Sequence, residues 1–239
     1  MSYLKSSVLI TGASQGIGRS IAITFAASTQ LPLLLLARNE ENLNESKSLC
    51  EKAGARNIAV LPCDATNYSE IVDLEIPDGF PAPGLIINNA GSYLYKSLSE
   101  TTDDEFRKQI DVNLFTAVNI VKRFLPGAKK MDRALIINIC SVGALTGLKD
   151  SGAYSAAKHA LLGYTRSLRE ELKDTNVGVT AVNLGQTHSP SWDESTMSPE
   201  RLINPSDIAA LLVTISQLSA RSLVEEIIIQ PQHGRVPAM

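Results

Sequence analysis

Residues 7–18 read SVLITGASQGIG and are the strongest indication of the fold class. An apolar run ends in a glycine-rich turn, and a helical pattern begins directly after it. In such a turn Gly12 permits the tight bend, Gly16 lets the backbone approach a pyrophosphate, and Gly18 lets the helix pack closely on the strand. The start of the helix directs free N–H groups and a positive dipole end toward the phosphates. We therefore predict a nucleotide site here, the alternative being a turn whose glycines serve backbone shape alone.

The rest of the chain repeats this alternation of strand and helix. The predicted strands are nearly all apolar, as is typical of strands buried on both faces of a parallel sheet. They are Ser7–Thr11, Pro32–Ala37, Asn57–Leu61, Gly84–Asn88, Ala134–Cys140, Val177–Asn183 and Glu226–Gln230. Helical patterns cover Ile17–Ser28, Glu41–Ala53, Asp103–Phe124, Ser151–Lys173 and Ser206–Ser219, with a weaker one at Tyr68–Leu74. We predict one α/β domain over residues 1–239, a Rossmann-type doubly wound fold with a seven-stranded, mostly parallel sheet flanked by helices.

Composition excludes several classes of function. The 239 residues are 44% hydrophobic and carry a formal net charge of −3, so no basic surplus indicates nucleic acid or an anionic membrane as a partner. The longest apolar stretch, Leu31–Ala37, is far too short to span a membrane. Cys50, Cys63 and Cys140 are scattered without a CxxC pair. They are expected to be reduced thiols in a cytoplasmic protein, and no metal site is predicted.

The end of the second strand bears on the choice of cofactor. Residues 36–39 read LARN, where NAD enzymes often carry an acid that accepts hydrogen bonds from the adenosine ribose. The guanidinium of Arg38 could instead pair with a 2′-phosphate, which favours NADP(H). The alternative is that Arg38 pairs with Asn39, Glu40 or Glu41 at the start of the next helix.

The third and fourth strands also end in polar or small residues. Asp64 could accept a hydrogen bond from the adenine amino group, or it could cap the short helix near Tyr68. Residues 88–91 read NNAG, and small residues such as Ala90 and Gly91 suit a backbone that passes close to a ligand. The asparagine pair could equally satisfy buried groups at the strand end.

The candidate catalytic residues follow the fifth strand. Ser141 stands where that strand leaves the sheet, and Tyr154 and Lys158 are four residues apart, so they share one face of a helix. A phenol has a reference pKa of about 10, and a neighbouring ammonium lowers it. Carbonyl reduction needs a proton donor for the developing alkoxide, and a serine hydroxyl can polarise the same oxygen. Taken alone, the tyrosine–lysine pair also describes a buried aromatic beside a solvated lysine.

The combination of these motifs is far more specific than any one of them. The chain carries TGxxxGxG at residues 11–18, NNAG at 88–91, Ser141, and YxxxK from Tyr154 to Lys158, in that order. Ser141 precedes Tyr154 by 13 positions. In these features, and over nearly its whole length, the chain resembles the short-chain dehydrogenase/reductase family.

The resemblance implies a role for each catalytic residue. It implies that Tyr154 is the general acid in reduction, that Lys158 lowers the pKa of Tyr154 and binds the nicotinamide ribose, and that Ser141 holds the substrate oxygen. It also implies that Asn113 is the fourth catalytic residue, in an irregular helix that holds a relay water. Without the resemblance, Asn113 is an ordinary polar residue of a long helix.

The resemblance further places the segment after the sixth strand against the nicotinamide carboxamide. Gly185, Thr187 and Ser189 are the predicted contacts there, and Leu184 stands where the family usually has proline. The complete set of predicted cofactor contacts is Gly12, Ser14, Gln15, Gly16, Ile17, Gly18, Arg38, Asp64, Asn89, Ala90, Gly91, Tyr154, Lys158, Gly185, Thr187 and Ser189.

Residues 189–204 are predicted to form a short substrate lid. They contain prolines among polar residues, which is typical of a loop over a site rather than of a core element. Trp192 and Met197 could flank the substrate or pack the lid down, and His188 is expected to be an ordinary loop residue.

These expectations combine into one function. We expect an NADP(H)-dependent oxidoreductase that moves a hydride between nicotinamide and a carbonyl or hydroxyl carbon of a small organic substrate, with a carbonyl reductase as the leading interpretation. One alternative is a non-catalytic NADP-binding regulatory protein on the same fold. The other is an NAD-dependent epimerase or dehydratase from the branch of the same superfamily whose chains are longer. The resemblance also implies a homodimer or homotetramer formed through the helix at 151–173 and the last strand.

Overall fold

The computed structural model describes residues 5–193 and 195–236. Residues 1–4 and 237–239 of the predicted domain, and Glu194 of the predicted lid, lie outside the described residues. Within the described part, seven strands form one sheet. They are β1 (Ser7–Thr11), β2 (Leu33–Ala37), β3 (Ile58–Pro62), β4 (Pro83–Asn88), β5 (Ala134–Ile139), β6 (Val177–Leu184) and β7 (Glu226–Ile229).

The strand order β3-β2-β1-β4-β5-β6-β7 confirms the doubly wound fold. Every neighbouring pair is parallel, so the predicted mostly parallel sheet is parallel throughout. The direction of winding reverses between β1 and β4, because the chain first builds outward to β3 and then outward to β7. The crevice beyond the carboxyl ends of strands at such a reversal is where ligands bind in open α/β sheets.

Helices cover both faces of the sheet. They are α1 (Gly16–Ser28), α2 (Glu40–Lys52), α3 (Tyr68–Asp73), α4 (Asp103–Ile110), α5 (Thr116–Ala128), α6 (Gly152–Leu172) and α7 (Pro205–Gln217). Phe25 of α1 and Leu212 of α7 pack in the core of one face. Phe124 of α5 and Leu168 of α6 pack in the core of the other. No helix in the described ranges has the combined length and apolar character needed to cross a membrane.

The helical pattern at Asp103–Phe124 is not one regular helix. It consists of α4, a π-helical turn at Asp111–Phe115, and α5, which continues to Ala128. A π turn contains one more residue per turn than an α-helix, so the apolar period alone does not reveal it. Such turns occur frequently at functional sites, and this one contains Asn113.

Candidate active site

The sheet order brings the motifs together along one edge. Asp64 follows β3, Arg38 follows β2, the glycine-rich turn follows β1, and Asn89 follows β4. Ser141 comes next, beyond β5. The glycine-rich turn and Asn89 are therefore neighbours at the reversal point of the sheet, with the candidate catalytic serine one strand farther along.

The glycine-rich turn is locked against the loop after β4. Gly12 has a φ of +66°, a conformation that favours glycine. A Cβ at Gly18 would lie 2.2 Å from the carbonyl oxygen of Gly12 and 2.6 Å from Nδ2 of Asn89. The Thr11 Oγ1 accepts hydrogen bonds of 3.0 Å from the backbone N–H groups of both Asn89 and Ala90. These contacts leave no room for a side chain at Gly18 and fix the turn as a rigid unit.

The N-terminus of α1 presents unused donors at this turn. The helix begins at Gly16, and the exposed side chain of Gln15 before it makes no capping hydrogen bond. In α2, α4 and α7, by contrast, a side-chain oxygen accepts a hydrogen bond from the first turn. The first N–H groups of α1, at Gly16, Ile17 and Gly18, therefore point to a site that can bind an anion.

Sequence reasoning missed Arg19, which anchors the same turn from behind. Its guanidinium donates to the carbonyl oxygen of Ser14 at 2.6 Å and to Ser46 Oγ at 2.9 Å, and it pairs with Glu45 at 2.7 Å. Arg19 therefore ties the glycine-rich turn to α2. Its place directly after Gly18 was the only sequence signal for this role. Two of its partners, Glu45 and Ser46, are 26 and 27 positions away along the chain.

Arg38 has no partner within the described residues. Its side chain is exposed, and no hydrogen bond or ion pair joins it to Glu40, Glu41 or any other described group. Asn39 instead caps α2 by accepting a 2.8 Å hydrogen bond from the backbone N–H of Asn42. The pairing considered as the alternative for Arg38 is therefore absent, and the guanidinium is free to bind an anion.

Asp64 holds its own loop and does not cap the next helix. Its Oδ1 accepts hydrogen bonds from the backbone N–H of Thr66 at 3.0 Å and from the Thr66 hydroxyl at 2.8 Å. Asn67 caps α3 in its place, by accepting from the N–H of Ser69 at 3.1 Å. The capping interpretation of Asp64 was wrong because Asn67 stands one residue before the helix. The proposed contact of Asp64 with adenine stays a prediction.

Ser141, Tyr154 and Lys158 lie together at the start of α6. Ser141 is nearly buried, and its Oγ accepts a 3.0 Å hydrogen bond from the N–H of Gly143 in a short 3₁₀ turn. Tyr154 lies in the first turn of α6 and Lys158 one turn later. The Lys158 Nζ donates to the carbonyl oxygen of Ile139 at 3.0 Å and lies 5.8 Å from the centre of the Tyr154 ring.

The protonation of Tyr154 differs from the expectation. Although the residue keeps some exposed surface, burial raises the pKa of its phenol to about 12, and its hydrogen bond with Ser141 lowers that pKa by less. Burial also lowers the pKa of the Lys158 ammonium. Lys158, whose Nζ donates to the backbone of Ile139, is not among the groups that lower the pKa of Tyr154, contrary to the prediction. At neutral pH the phenol is protonated, which is the form that donates a proton in reduction.

Asn113 is fixed beside the loop after β4. Its Nδ2 donates to the carbonyl oxygen of Ser92 at 2.9 Å and to Oε1 of Gln109 at 3.1 Å, and its Oδ1 accepts from the N–H of Ser92 at 3.3 Å. A Cβ at Gly91 would lie 2.8 Å from Oδ1 of Asn113 and 3.4 Å from Nζ of Lys158. Gly91 thus stands between the two predicted catalytic residues, and its missing side chain lets both approach the backbone.

The two asparagines that follow one another at the end of β4 make different contacts. Asn88 donates to Oδ1 of Asn138 at 2.8 Å, and Asn138 donates to Oγ1 of Thr165 at 2.8 Å. This buried chain of hydrogen bonds joins β4, β5 and α6. Asn88 therefore satisfies buried groups at the strand ends, whereas Asn89 contacts the glycine-rich turn through Nδ2, which donates to the carbonyl oxygen of Thr11 at 3.1 Å.

The segment after β6 returns to the glycine-rich turn. Leu184, in place of the family's proline, extends β6 by one residue and pairs with Ile229 of β7. The N–H of Gly185 donates to the carbonyl oxygen of Ile229 at 2.7 Å, and Thr187 Oγ1 donates to the carbonyl oxygen of Gly185 at 3.0 Å. Ser189 lies against the turn, since a Cβ at Gly16 would be 3.5 Å from the Ser189 Cβ.

The predicted lid contains two short 3₁₀ turns, Pro190–Trp192 and Pro199–Arg201. Its base is closed by Ile203, which pairs with Thr187 and accepts a 3.0 Å hydrogen bond from the N–H of His188. The His188 side chain is exposed, and Trp192 and Met197 are half-buried. The substrate roles considered for these three residues stay predictions.

Comparison with known proteins places this site in a family. The model of the short chain dehydrogenase family matches residues 6–199. A fatty acyl-CoA reductase of Acinetobacter baylyi is 32% identical over 220 residues, which are 90% of this chain and 70% of that protein.

Solved structures show the same architecture. An alcohol dehydrogenase of the archaeon Thermococcus sibiricus, complexed with 5-hydroxy-NADP, superposes with a TM-score of 0.88 at 23% identity, over 98% of this chain and 99% of that one. An actinorhodin polyketide ketoreductase with NADPH gives a TM-score of 0.84 at 25% identity, over 97% and 98% of the two chains. The resemblance noted in the sequence is confirmed, and the chain belongs to the short-chain dehydrogenase family of oxidoreductases.

Proposed function

We propose that the protein is an NADP(H)-dependent carbonyl reductase. The observation that carries the proposal is the grouping of Ser141, a protonated Tyr154 and a buried Lys158 at the sheet edge that also holds the glycine-rich turn. A proton donor, an oxygen-orienting hydroxyl and a fixed cation are the groups that carbonyl reduction requires.

The chain fits NADP(H) at two separate phosphate groups of the cofactor. The uncapped first turn of α1 can accept a pyrophosphate, and the unpaired guanidinium of Arg38 can accept a 2′-phosphate. The related ketoreductase was solved with NADPH, which supports the same choice here. When bound, the nicotinamide supplies or accepts the hydride.

The residues of this chain would perform the polar part of the reaction. The Ser141 hydroxyl donates a hydrogen bond to the substrate oxygen and holds it beside the phenol. The Tyr154 hydroxyl then donates its proton to that oxygen as negative charge develops there. The Lys158 ammonium, held at Ile139 in a buried site, would bind the nicotinamide ribose beside the phenol. Asn113 fixes the Ser92 backbone, and with it the loop that borders the lysine.

The first experiment is to follow the loss of NADPH absorbance with a panel of aldehydes, diketones and 3-oxo esters, with NADH in parallel. Consumption of NADPH with a member of the panel supports a reductase. Binding of NADPH without consumption of cofactor by any carbonyl would favour the regulatory alternative instead.

Arg38→Asp is expected to reverse the preference between cofactors. The substitution removes a charge-assisted hydrogen bond to the 2′-phosphate, which contributes about 1.5–3 kcal/mol, and adds a repelling charge. The ratio of kcat/KM for NADPH to kcat/KM for NADH should therefore fall by about tenfold to a hundredfold. Arg56→Asp is the matched control. Arg56 is also exposed, but it precedes β3 and therefore lies at the amino-terminal ends of the strands, opposite the cofactor site. An unchanged ratio in Arg38→Asp would show that Arg38 does not recognise the 2′-phosphate.

We also propose that the protein is a homodimer or homotetramer in which β7 contacts a second copy. In the described chain β7 pairs only with β6, so its other edge is open, and Ile228 on it is 57% exposed. Ile228→Lys should shift the mass in light scattering toward the monomer, because an edge lysine opposes strand pairing. Val72→Lys, at an exposed apolar residue of α3, should leave the mass unchanged. A wild-type monomer mass would refute the proposal.

A further inference from the structure

Exposed apolar side chains are concentrated around the start of α6. Of the large apolar residues that are exposed in the described chain, half lie in the two loops that flank this helix start. We call these four residues, Tyr93, Tyr95, Leu98 and Leu145, the apolar rim; their exposed fractions are 36%, 46%, 62% and 40%. Exposed apolar residues scattered singly need no explanation, whereas a contiguous group is typical of a binding surface.

The rim begins at the candidate catalytic tyrosine. The ring of Tyr93 meets that of Tyr154 edge to face, with centres 5.0 Å apart and planes at 78°. The hydroxyls of Tyr93 and Ser151 share a 2.7 Å hydrogen bond, and Ser151 is buried directly before α6. The position of Tyr93 is thus fixed from two sides while part of its ring stays exposed next to the reacting hydroxyl.

The next two residues of the rim are held by the same helix start. The backbone N–H of Lys96 donates to the carbonyl oxygen of Asp150 at 2.7 Å, and the Tyr95 hydroxyl donates to the Asp150 carboxylate at 3.5 Å. Leu98 lies on Gly152, since a Cβ there would come within 2.5 Å of the Leu98 Cγ. The segment is therefore ordered against α6 although its side chains remain exposed.

Leu145 closes the rim on the side of Ser141. It follows the 3₁₀ turn Val142–Ala144, which begins directly after Ser141. The hydroxyl of Ser155 donates to the carbonyl oxygens of Gly143 at 2.7 Å and Thr146 at 3.3 Å, which fixes this loop to α6. Tyr93 thus contacts Tyr154, and Leu145 ends the short turn that begins after Ser141, so the rim starts at the two groups expected to hold the substrate oxygen.

We infer that the apolar rim binds the apolar part of the substrate, so that the enzyme prefers carbonyl compounds carrying a long alkyl or aromatic group. This inference rests on the proposed reductase function and adds the substrate class to it. A carbonyl held between Ser141 and Tyr154 has its substituent next to Tyr93 and Leu145, and a long substituent can continue to Tyr95 and Leu98. Covering these side chains removes apolar surface from water, whereas a small polar carbonyl would leave them exposed.

The test is the reduction of straight-chain aldehydes from butanal to decanal with NADPH. Each methylene that is buried contributes about 0.8 kcal/mol, so kcat/KM should rise by up to about fourfold for each one that reaches the rim. The quantity compared between variants is the ratio of kcat/KM for decanal to that for butanal.

Substitutions that remove apolar surface from the rim should lower that ratio, whereas a substitution that removes only a hydroxyl should not. Leu98→Ser and Tyr95→Ser should lower it at least about threefold, because each removes apolar surface of more than one methylene. Tyr95→Phe keeps the ring and loses only the hydrogen bond to Asp150, so it should keep the wild-type ratio. Val72→Ser, at a 47% exposed residue of α3, is the control for loss of exposed apolar area elsewhere and should also keep it.

The outcomes distinguish this inference from the function on which it rests. Reduction that does not depend on chain length, or an unchanged ratio in Leu98→Ser and Tyr95→Ser, overturns the inference and leaves the reductase intact. Absence of reduction for every carbonyl, despite NADPH binding, overturns both. A lower particle mass in Leu98→Ser than in the wild type would show that the rim is an interface between copies of the chain, which also overturns the inference.

Discussion

Tyr154→Phe is expected to lower kcat by about a thousandfold or more and to leave the affinity for NADPH within about twofold of the wild type. The substitution removes one oxygen and with it the proton that the developing alkoxide needs. A positioned general acid contributes about 10²–10⁴-fold. Since the phenol pKa of about 12 keeps the group protonated at neutral pH, the wild type loses none of this contribution to ionisation in the reduction direction. The ring of Phe keeps the edge contact with Tyr93, so packing at the helix start should be preserved.

Tyr164→Phe is the matched control for this prediction. Tyr164 lies on the same helix α6, and burial raises the pKa of its phenol to about 12 as well. It packs against the core more than two turns beyond Tyr154, so its substitution should keep kcat near the wild-type value. Steady-state reduction with saturating NADPH and saturating carbonyl substrate measures kcat, and NADPH fluorescence titration measures affinity. Wild-type turnover in Tyr154→Phe would remove Tyr154 from its assigned role.

The parts of the fold that could be predicted are those specified by local sequence. β1 has its predicted bounds, Ser7 and Thr11, and the other strands differ from their predicted bounds by at most one residue at either end. Runs such as Leu33–Leu36 are buried on both faces, so apolar character alone marks them. The glycine-rich turn and the YxxxK pair could also be predicted, because residues close together in the chain determine their geometry. The glycine spacing predicts the turn, and a spacing of four residues predicts a shared helix face.

The parts that could not be predicted depend on residues distant in the sequence. Arg19 finds Glu45 and Ser46 only after α1 and α2 pack side by side. The Asn88–Asn138–Thr165 chain needs the order of β4, β5 and α6 before any of its hydrogen bonds exists.

The pKa of Tyr154 was mispredicted for a similar reason. The spacing of four residues places Tyr154 and Lys158 on one face of α6, but it does not say where Nζ points. In the fold, Nζ reaches the backbone of Ile139, and desolvation outweighs the other influences on the phenol. Proximity along a helix thus predicts which groups share a site, whereas the protonation of each group depends on burial and on third partners.

Gly18→Ala is expected to damage both the fold and the cofactor site. The new Cβ would lie 2.2 Å from the carbonyl oxygen and 2.7 Å from the carbonyl carbon of Gly12, backbone atoms that cannot move aside as the end of a flexible side chain can, and 2.6 Å from the side-chain Nδ2 of Asn89. Inserting a methyl group into a tightly packed position costs about 1–3 kcal/mol, occasionally more. We expect a loss of about 3 kcal/mol in the free energy of unfolding, measured by urea denaturation, and a loss of NADPH affinity of at least about tenfold.

Gly127→Ala separates this clash from the general effect of replacing a helical glycine. Gly127 lies in α5, and a Cβ there would meet no atom within 4 Å. Alanine has a better helix propensity than glycine by about 1 kcal/mol, so this variant should be as stable as the wild type or slightly more stable. If Gly18→Ala were equally stable and bound NADPH normally, the turn would have room to open, and its close contact with Asn89 would not be what shapes the phosphate site. If it loses both stability and affinity while Gly127→Ala loses neither, the glycine is required because α1 must approach the end of β1 closely enough for its first N–H groups to reach the cofactor.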